Sequence, residues 1–338
     1  MPKQPNTTPV ITEVYRTAES VSPKHPDKLC DQISDAILDA YLQEDPYSRV
    51  AVDVAGGHGT IFIVGEVTSN AASVNIRTIV NRIVGLKTDG TPYEIVERIV
   101  AQSPEIAQGV DIGGAGDQGI MVGYATNETP EHLPLEYSLA RSLNQFLYKQ
   151  WPYDGKTQVT LLGNRIVSIV ASFQHASTEA LTEAVKEWAR TQPYTSKYFV
   201  KYQNDNPTLH INPAGDWEVG GFDADSGLTG RKLAVDNYGP RVPLGGGAIS
   251  GKDGTKVDRS GAYIARRIAV DYLKKHDAEE VYVYLAYAIG YPYPVEATVT
   301  IDGVQKNIKG YDLTPEGIIK KLNLRTPGFE KLAQYGHF

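Results

Sequence analysis

Apolar residues recur every fourth position along 29–43, where Leu29, Ile33, Ile37 and Tyr41 share one helical face with Ala36 and Ala40 beside it. Pro26 stands where a first helical residue tolerates proline, so His25 and Asp27 lie at that helix's N-terminus. Free amides and the helix dipole favour an anion or its metal complex at such a place. Two segments of β-branched character, 48–54 and 60–68, flank Ala-Gly-Gly-His-Gly and read as a hairpin carrying Asp53 and Glu66. Those acids either face solvent or turn together into a cleft, and the alternation leaves both open. Helices are expected over 74–85, 93–102, 132–150, 178–190, 260–275 and 315–322. Strands are expected over 155–162 and 165–175, which flank a Gly163-Asn164 turn, and over 208–212, 233–237, 279–287 and 295–301. Hairpins alternating with helices make α+β layers rather than a parallel α/β sheet.

The glycines punctuate this pattern. Gly109, Gly113, Gly114, Gly116, Gly119 and Gly123 are too dense for a helix and form a ligand-shaping loop that runs into a strand. Gly114, Gly116 and Gly119 imitate the dinucleotide-binding spacing, without the preceding strand that fold requires. A second glycine turn, 225–232, delivers Arg231 and Lys232 together. A third stretch, 244–259, has Gly245, Gly246 and Gly247 in succession, then Lys252 and Lys256 four residues apart, then Asp258. Amides of such a loop and two ammonium groups suit a polyphosphate, and a carboxylate holds Mg²⁺ beside phosphate oxygens. Taken alone, the stretch also fits a mobile surface loop. Gly246 to Lys252 matches G-x-x-x-x-G-K, but Asp253 occupies the place of the Ser or Thr that a P-loop uses to bind Mg²⁺.

Composition narrows the class. A chain of 338 residues suggests two or three domains. A formal charge of −7 argues against a general nucleic-acid binder, because phosphate backbones call for a basic face. The single cysteine, Cys30, excludes an intramolecular disulfide, fits a reducing compartment, and falls on a helix as a buried inert thiol. No run of 18 apolar residues occurs and the first twelve residues are mostly polar, so a soluble, cytoplasmic protein without membrane partners is expected.

Four motifs then fall in register: His-Pro-Asp-Lys at 25–28, Gly-Ala-Gly-Asp-Gln-Gly at 114–119, Gly-Leu-Thr-Gly-Arg-Lys at 227–232 and Gly-Gly-Gly-Ala-Ile-Ser-Gly-Lys-Asp at 245–253. Together they closely resemble the S-adenosylmethionine synthetases (methionine adenosyltransferases), over nearly the whole chain from Glu19 to the Tyr-Gly-His-Phe ending at Phe338. The resemblance implies synthesis of S-adenosyl-L-methionine from ATP and L-methionine. The methionine sulfur attacks C5′, and the displaced tripolyphosphate is cleaved to pyrophosphate and phosphate. It also implies roles. His25, Lys156, Arg231 and Lys252 would be catalytic, and His25, Asp154, Lys156, Trp217, Asp225, Arg231, Lys232 and Lys252 would bind ATP. Glu66, Gln108, Asp225 and Lys256 would bind methionine, with Asp117 a further polar wall residue. Asp27 and Asp258 would carry Mg²⁺, two ions per site, and Asp53 K⁺.

The implied fold is α+β, with three similar domains about a pseudo-threefold axis and helices on one face of antiparallel or mixed sheets. Its segments interleave as 1–23 with 128–220, 24–111 with 221–258, and 112–127 with 259–338. The implied assembly is a homodimer with active sites between subunits, at which His25 and Lys252 converge, and its pairing into a homotetramer. Four departures stand out: Asp53 where the family usually has glutamate, Trp217 where it has phenylalanine, a short loop over 111–114, and an end at Phe338 without the usual extension. Two other readings use the same cations: a Mg²⁺-dependent tripolyphosphate or nucleotide hydrolase without alkyl transfer, and a non-enzymatic nucleotide-binding subunit. Methionine-dependent consumption of ATP separates them from a synthetase.

Overall fold

Three four-stranded sheets organise the computed structural model, which describes residues 14–102, 113–191 and 207–338. The first contains β1 (Tyr15–Val21), β6 (Gly155–Leu162), β7 (Arg165–Phe173) and β8 (Thr208–Ile211), in the order β1-β6-β7-β8. Its helices are α3 (Leu135–Tyr148), which packs on β1 and β6, and α4 (Thr178–Thr191). Leu139, Leu143 and Leu147 of α3 meet Val159, Ile169 and Trp188 in a core of their own.

The second sheet runs β4 (Glu94–Val100), β3 (Thr60–Thr68), β2 (Arg49–Gly57), β9 (Gly227–Leu228). Helices α1 (Pro26–Glu44) and α2 (Ile76–Val84) lie on its inner side, and the opposite side is open. The third sheet runs β12 (Val304–Asn307), β11 (Glu296–Ile301), β10 (Glu280–Tyr287), β5 (Gly119–Thr126), with α6 (Val257–His276) across β5 and β10. Short helices α5 (Leu233–Asp236), α7 (Pro315–Leu322) and α8 (Phe329–Leu332) fill the seams. Each of the three sheets is built from chain segments separated by strands of another.

Helix α1 sits at the centre. Every residue from Pro26 to Leu38 is buried, so its polar positions must be paired inside the protein. Lys28 bonds Asp31 at 3.1 Å and Asp236 at 2.6 Å. Against the burial that would lower it, Asp236 and Asp31 hold the Lys28 ammonium above its ordinary pKa. Asp35 pairs with Arg259 of α6.

Two expected elements are corrected. The segment 93–102 forms strand β4, parallel to β3, because Ile95, Val96, Ile99 and Val100 imitate helical spacing while their β-branching suits the edge of a sheet. The segment 233–237 is the single helical turn α5 rather than a strand, closed by Asp236 N to Lys232 O at 2.8 Å. Tertiary context wins there: the turn brings Asp236 onto Lys28. The long C-terminal helix begins at Val257, three residues before the expected start, so Asp258 falls in its first turn.

Candidate active site

The first cluster forms where α1 begins. His25 caps the helix, and its Nδ1 accepts from Asp27 N at 3.2 Å. That bond puts the ring proton on Nε2. Burial first, then the Lys232 and Lys156 ammonium groups, push the His25 pKa down to about 3, so the ring is neutral. Its 3.8 Å approach to Asp27 Oδ2 is therefore not an ion pair. Asp27 accepts from Leu228 N at 3.0 Å, Arg231 Nε at 2.7 Å and Lys232 Nζ at 2.5 Å. Against its burial, Lys232 and the Leu228 amide hold its carboxyl below the usual range.

Lys156 projects from the start of β6, and Asp154 precedes it. The Asp154 Oδ2 accepts from Gly221 N at 3.0 Å, and burial lifts its pKa to about 6 against Gly221 N and Lys156. Exposed Asp225 lies close enough to both His25 and Asp154 to shift their titration. The side chains of His25, Arg231 and Lys232 thus surround Asp27, and Lys156 stands close enough to His25 and Asp154 to shift both. Beside Asp154 opens a cavity of about 400 Å³ lined by Lys24, Tyr93, Gln174 and Phe222 among others. Trp217 is half-buried near its rim, where the Trp217 carbonyl accepts from His175 N at 3.0 Å.

The second cluster lies on the open face of the second sheet. The register sets Glu66 opposite Ala51, and Ala51 forms an isolated antiparallel bridge with Lys252, so the three stand in one row. Asp53 lies in the next row, opposite Val64, on the same face. Burial raises the Asp53 pKa despite the nearby Lys252 ammonium. Lys252 Nζ bonds Asp258 Oδ2 at 2.5 Å. The glycine loop makes this approach possible: a Cβ on Gly247 would stand 2.1 Å from Asp258 Oδ1. A Cβ on Gly119, at the end of the loop bearing exposed Asp117, would stand 3.6 Å from the same oxygen.

Lys256 is bound to Asp253 Oδ1 at 2.5 Å, and Asp253 also accepts from Val50 N at 2.8 Å. This explains the residue that departs from the P-loop pattern: Asp253 ties the glycine loop to β2. Gln108 lies outside the described residues, as does part of the short 111–114 loop. The clusters separate residues that the sequence motifs suggest share a site. Asp27 belongs with His25, Lys156, Arg231 and Lys232, while Asp258 belongs with Lys252, Asp53 and Glu66. The buried partners Lys28, Asp31, Asp35, Asp236 and Arg259 escape the sequence reading. Their signal was acids and lysine interspersed among the apolar positions of α1.

Among the described residues, no group of three His, Cys, Asp or Glu could hold a metal ion, and no helix is long and apolar enough to cross a membrane. The donor sets still fit Mg²⁺, which usually binds one or two carboxylates together with substrate phosphates and water. Asp27 and Asp258 each offer one carboxylate among cations that a polyphosphate would draw off.

Comparison with known proteins finds three matching domain families. They are S-adenosylmethionine synthetase, N-terminal domain, over residues 13–104; its central domain over 112–217; and its C-terminal domain over 219–338. The S-adenosylmethionine synthase of Clostridium tetani is 41% identical over 366 residues, covering 95% of this chain and 93% of its own. That of Brachyspira hyodysenteriae is 40% identical, covering 97% and 94%, and that of Mycoplasmopsis synoviae 41%, covering 95% and 91%.

Proposed function

This chain belongs to the S-adenosylmethionine synthetase family, metal-dependent enzymes, and makes S-adenosylmethionine from ATP and L-methionine, and from that premise we propose that each active site joins the His25 cluster of one subunit to the Lys252 cluster of another. The observation that carries this reading is the division of these cationic and acidic side chains into two clusters, one at the α1 N-terminus and one on an open sheet face.

The chemistry gives each group its task. A thioether attacking C5′ has no proton to lose, so rate comes from alignment and from stabilising charge on the departing tripolyphosphate. His25, neutral with Nε2–H free, donates to the departing 5′ oxygen. Lys156, Arg231 and Lys232 from one subunit and Lys252 from the other grip the phosphates. A polyphosphate takes Arg231 and Lys232 from Asp27 and Lys252 from Asp258, freeing both carboxylates. Asp27 and Asp258 would hold Mg²⁺, two ions per site, and the metal would neutralise phosphate charge. Asp154 and Asp225 take the ribose hydroxyls, and Trp217 stacks on adenine. Glu66, Gln108 and Lys256 receive the methionine zwitterion, Asp225 contributes to it, and Asp117 lines the wall. Asp53 would hold K⁺, the role that the resemblance implies for it. The tripolyphosphate is hydrolysed to pyrophosphate and phosphate before release.

The open sheet face supports a homodimer. Leu228, Ala55 and Phe62 form a row beside Asp53 and Val64, and Phe62, Val64 and Leu228 are 49%, 50% and 45% exposed. A second copy would cover this apolar patch and deliver its His25 cluster to the acids along its edge. Pairing of dimers gives the tetramer. We assign the three domains as 1–23 with 128–220, 24–111 with 221–258, and 112–127 with 259–338, the division that the sheet memberships support. The cytoplasm is the assigned compartment, in keeping with the free, buried Cys30.

Product analysis with ATP, Mg²⁺ and KCl, with and without L-methionine, tests the chemistry. Equal S-adenosylmethionine and phosphate, both requiring methionine and Mg²⁺, is the expected result. Phosphate released without methionine, and no sulfonium product, would overturn it in favour of a hydrolase.

A further inference from the structure

The Tyr-Gly-His-Phe sequence ending at Phe338 takes no part in either cluster, yet it is packed into the interior. His337 is 7% exposed and lies between the glycine loop and α6. Its Nδ1 stands 2.8 Å from Tyr263 OH and its Nε2 3.3 Å from Ser250 Oγ. Its own amide donates to Asp236 O at 2.9 Å.

The proton positions follow from the partners. Arg259 Nη1 lies 3.1 Å from Tyr263 OH, and a guanidinium only donates. The tyrosine oxygen therefore accepts from Arg259 and gives its own proton to His337 Nδ1. Nε2 then carries the ring hydrogen and donates to Ser250 Oγ. Burial and the positive Arg259 and Lys28 keep the imidazole neutral, as this relay requires.

Arg259 and Asp35 complete the arrangement. Arg259 Nε donates to Ile249 O at 3.0 Å and pairs with Asp35, whose Oδ1 accepts from Gly251 N at 2.8 Å. Three consecutive residues are thus held by three buried side chains: Ile249 by Arg259, Ser250 by His337 and Gly251 by Asp35. Gly251 has φ +80°, and a Cβ there would lie 2.0 Å from Val52 O, so the clamped backbone has no room to shift toward β2. Lys252 is the next residue.

We propose that His337 is a positioning residue for Lys252, acting through Ser250 to fix the backbone from which that lysine reaches the substrate phosphates. This rests on the assignment of Lys252 to the phosphate chain. Since the ammonium acts on charge that grows as the tripolyphosphate leaves, misplacing it lowers kcat more than it raises KM for methionine.

The test compares His337→Ala, Ser250→Ala, their double variant and Lys252→Met in the full-length protein. A shift of the loop by a fraction of an ångström should lower kcat about 10- to 100-fold in His337→Ala, with KM for methionine nearly unchanged. Ser250→Ala should lose activity in the same direction, and the double variant no more than His337→Ala alone. Imidazole ¹⁵N shifts of wild-type protein should give the Nε2–H tautomer for His337, a measurement that stands even where His337→Ala fails to fold. Unchanged kcat in both single variants, additive losses, or an Nδ1–H tautomer would each overturn the proposal. Should Lys252→Met be inactive while His337→Ala and Ser250→Ala are fully active, the positioning role fails alone. Full activity of Lys252→Met would remove the assignment beneath it.

Discussion

Asp154 and His25 are two acids and bases whose surroundings push them in opposite directions from their ordinary values. Burial raises Asp154 to about 6, so it loses its charge as pH falls through that value. In its proposed role of accepting ribose hydroxyls the carboxylate is needed in its charged form, and kcat/KM for ATP should then fall below pH 6. In Asp154→Asn the residual activity should show no such inflection. A buried acid with a raised pKa favours folding when protonated, an advantage present at low pH and lost as pH rises through about 6. Asp154→Asn should therefore be at least as stable as wild type at neutral pH, by up to about 2 kcal/mol, while much less active. Loss of both stability and activity at neutral pH would mean the carboxylate is structural. His25, at about 3, adds no inflection near 6.5, and a histidine-like break in the profile that vanishes in His25→Asn would contradict its neutral role.

At the scale of elements, the hairpins β2–β3 and β6–β7 and the helix 315–322 were legible because period and turn chemistry agreed. Helix α1 was only half legible. Its apolar stripe of Leu29, Ile33 and Ile37 predicts one buried face, whereas Lys28, Asp31 and Asp35 are buried too, and only charges supplied from 200 residues further along the chain make that tolerable. Periodicity sees the stripe but has no access to a distant partner. The same blindness misread 93–102 and 233–237, where a sheet edge and the Lys28–Asp236 pair decide. The motif loops read as candidate phosphate-binding segments, but their residues do not give which side of a sheet each loop reaches, and only the resemblance implied that His25 and Lys252 come together between subunits. Two variants probe these elements. Lys28→Met strands Asp31 and Asp236 in the interior and should cost about 3–5 kcal/mol in urea unfolding. Gly247→Ala forces a methyl group against the Asp258 carboxylate in a half-buried loop, so it should lower kcat about 10- to 100-fold while moving the stability by less than about 1 kcal/mol. A Gly247→Ala enzyme with normal kcat would separate Asp258 from the chemistry.

At the scale of the whole molecule the question is whether the two half-sites of one chain serve each other or serve a second copy. They lie in different settings: His25 and Asp27 at the head of a helix on the inner side of the second sheet, Lys252, Glu66 and Asp53 on its outer face. Asp27 accepts from Leu228 N of the end strand β9, so the His25 cluster lies at the margin of the sheet, where a twofold pairing over the outer face would bring it past that edge to the partner's outer groups. Under the proposed pairing isologous symmetry makes a sharp demand, because each dimer would have two sites and each site would take one half from each chain. His25→Ala and Lys252→Met homodimers should both be nearly inactive, since every site in them lacks one group. In a heterodimer of the two variants, isolated by two different affinity tags, one site lacks both groups and the other lacks neither. It should recover about half the wild-type kcat per dimer. Sites built within single chains would each still lack a group, and the heterodimer would be as inactive as its parents. Recovery that is lost on dilution below the dimer's dissociation constant, and regained with concentration, would further tie the activity to the shared face bearing Phe62, Val64 and Leu228.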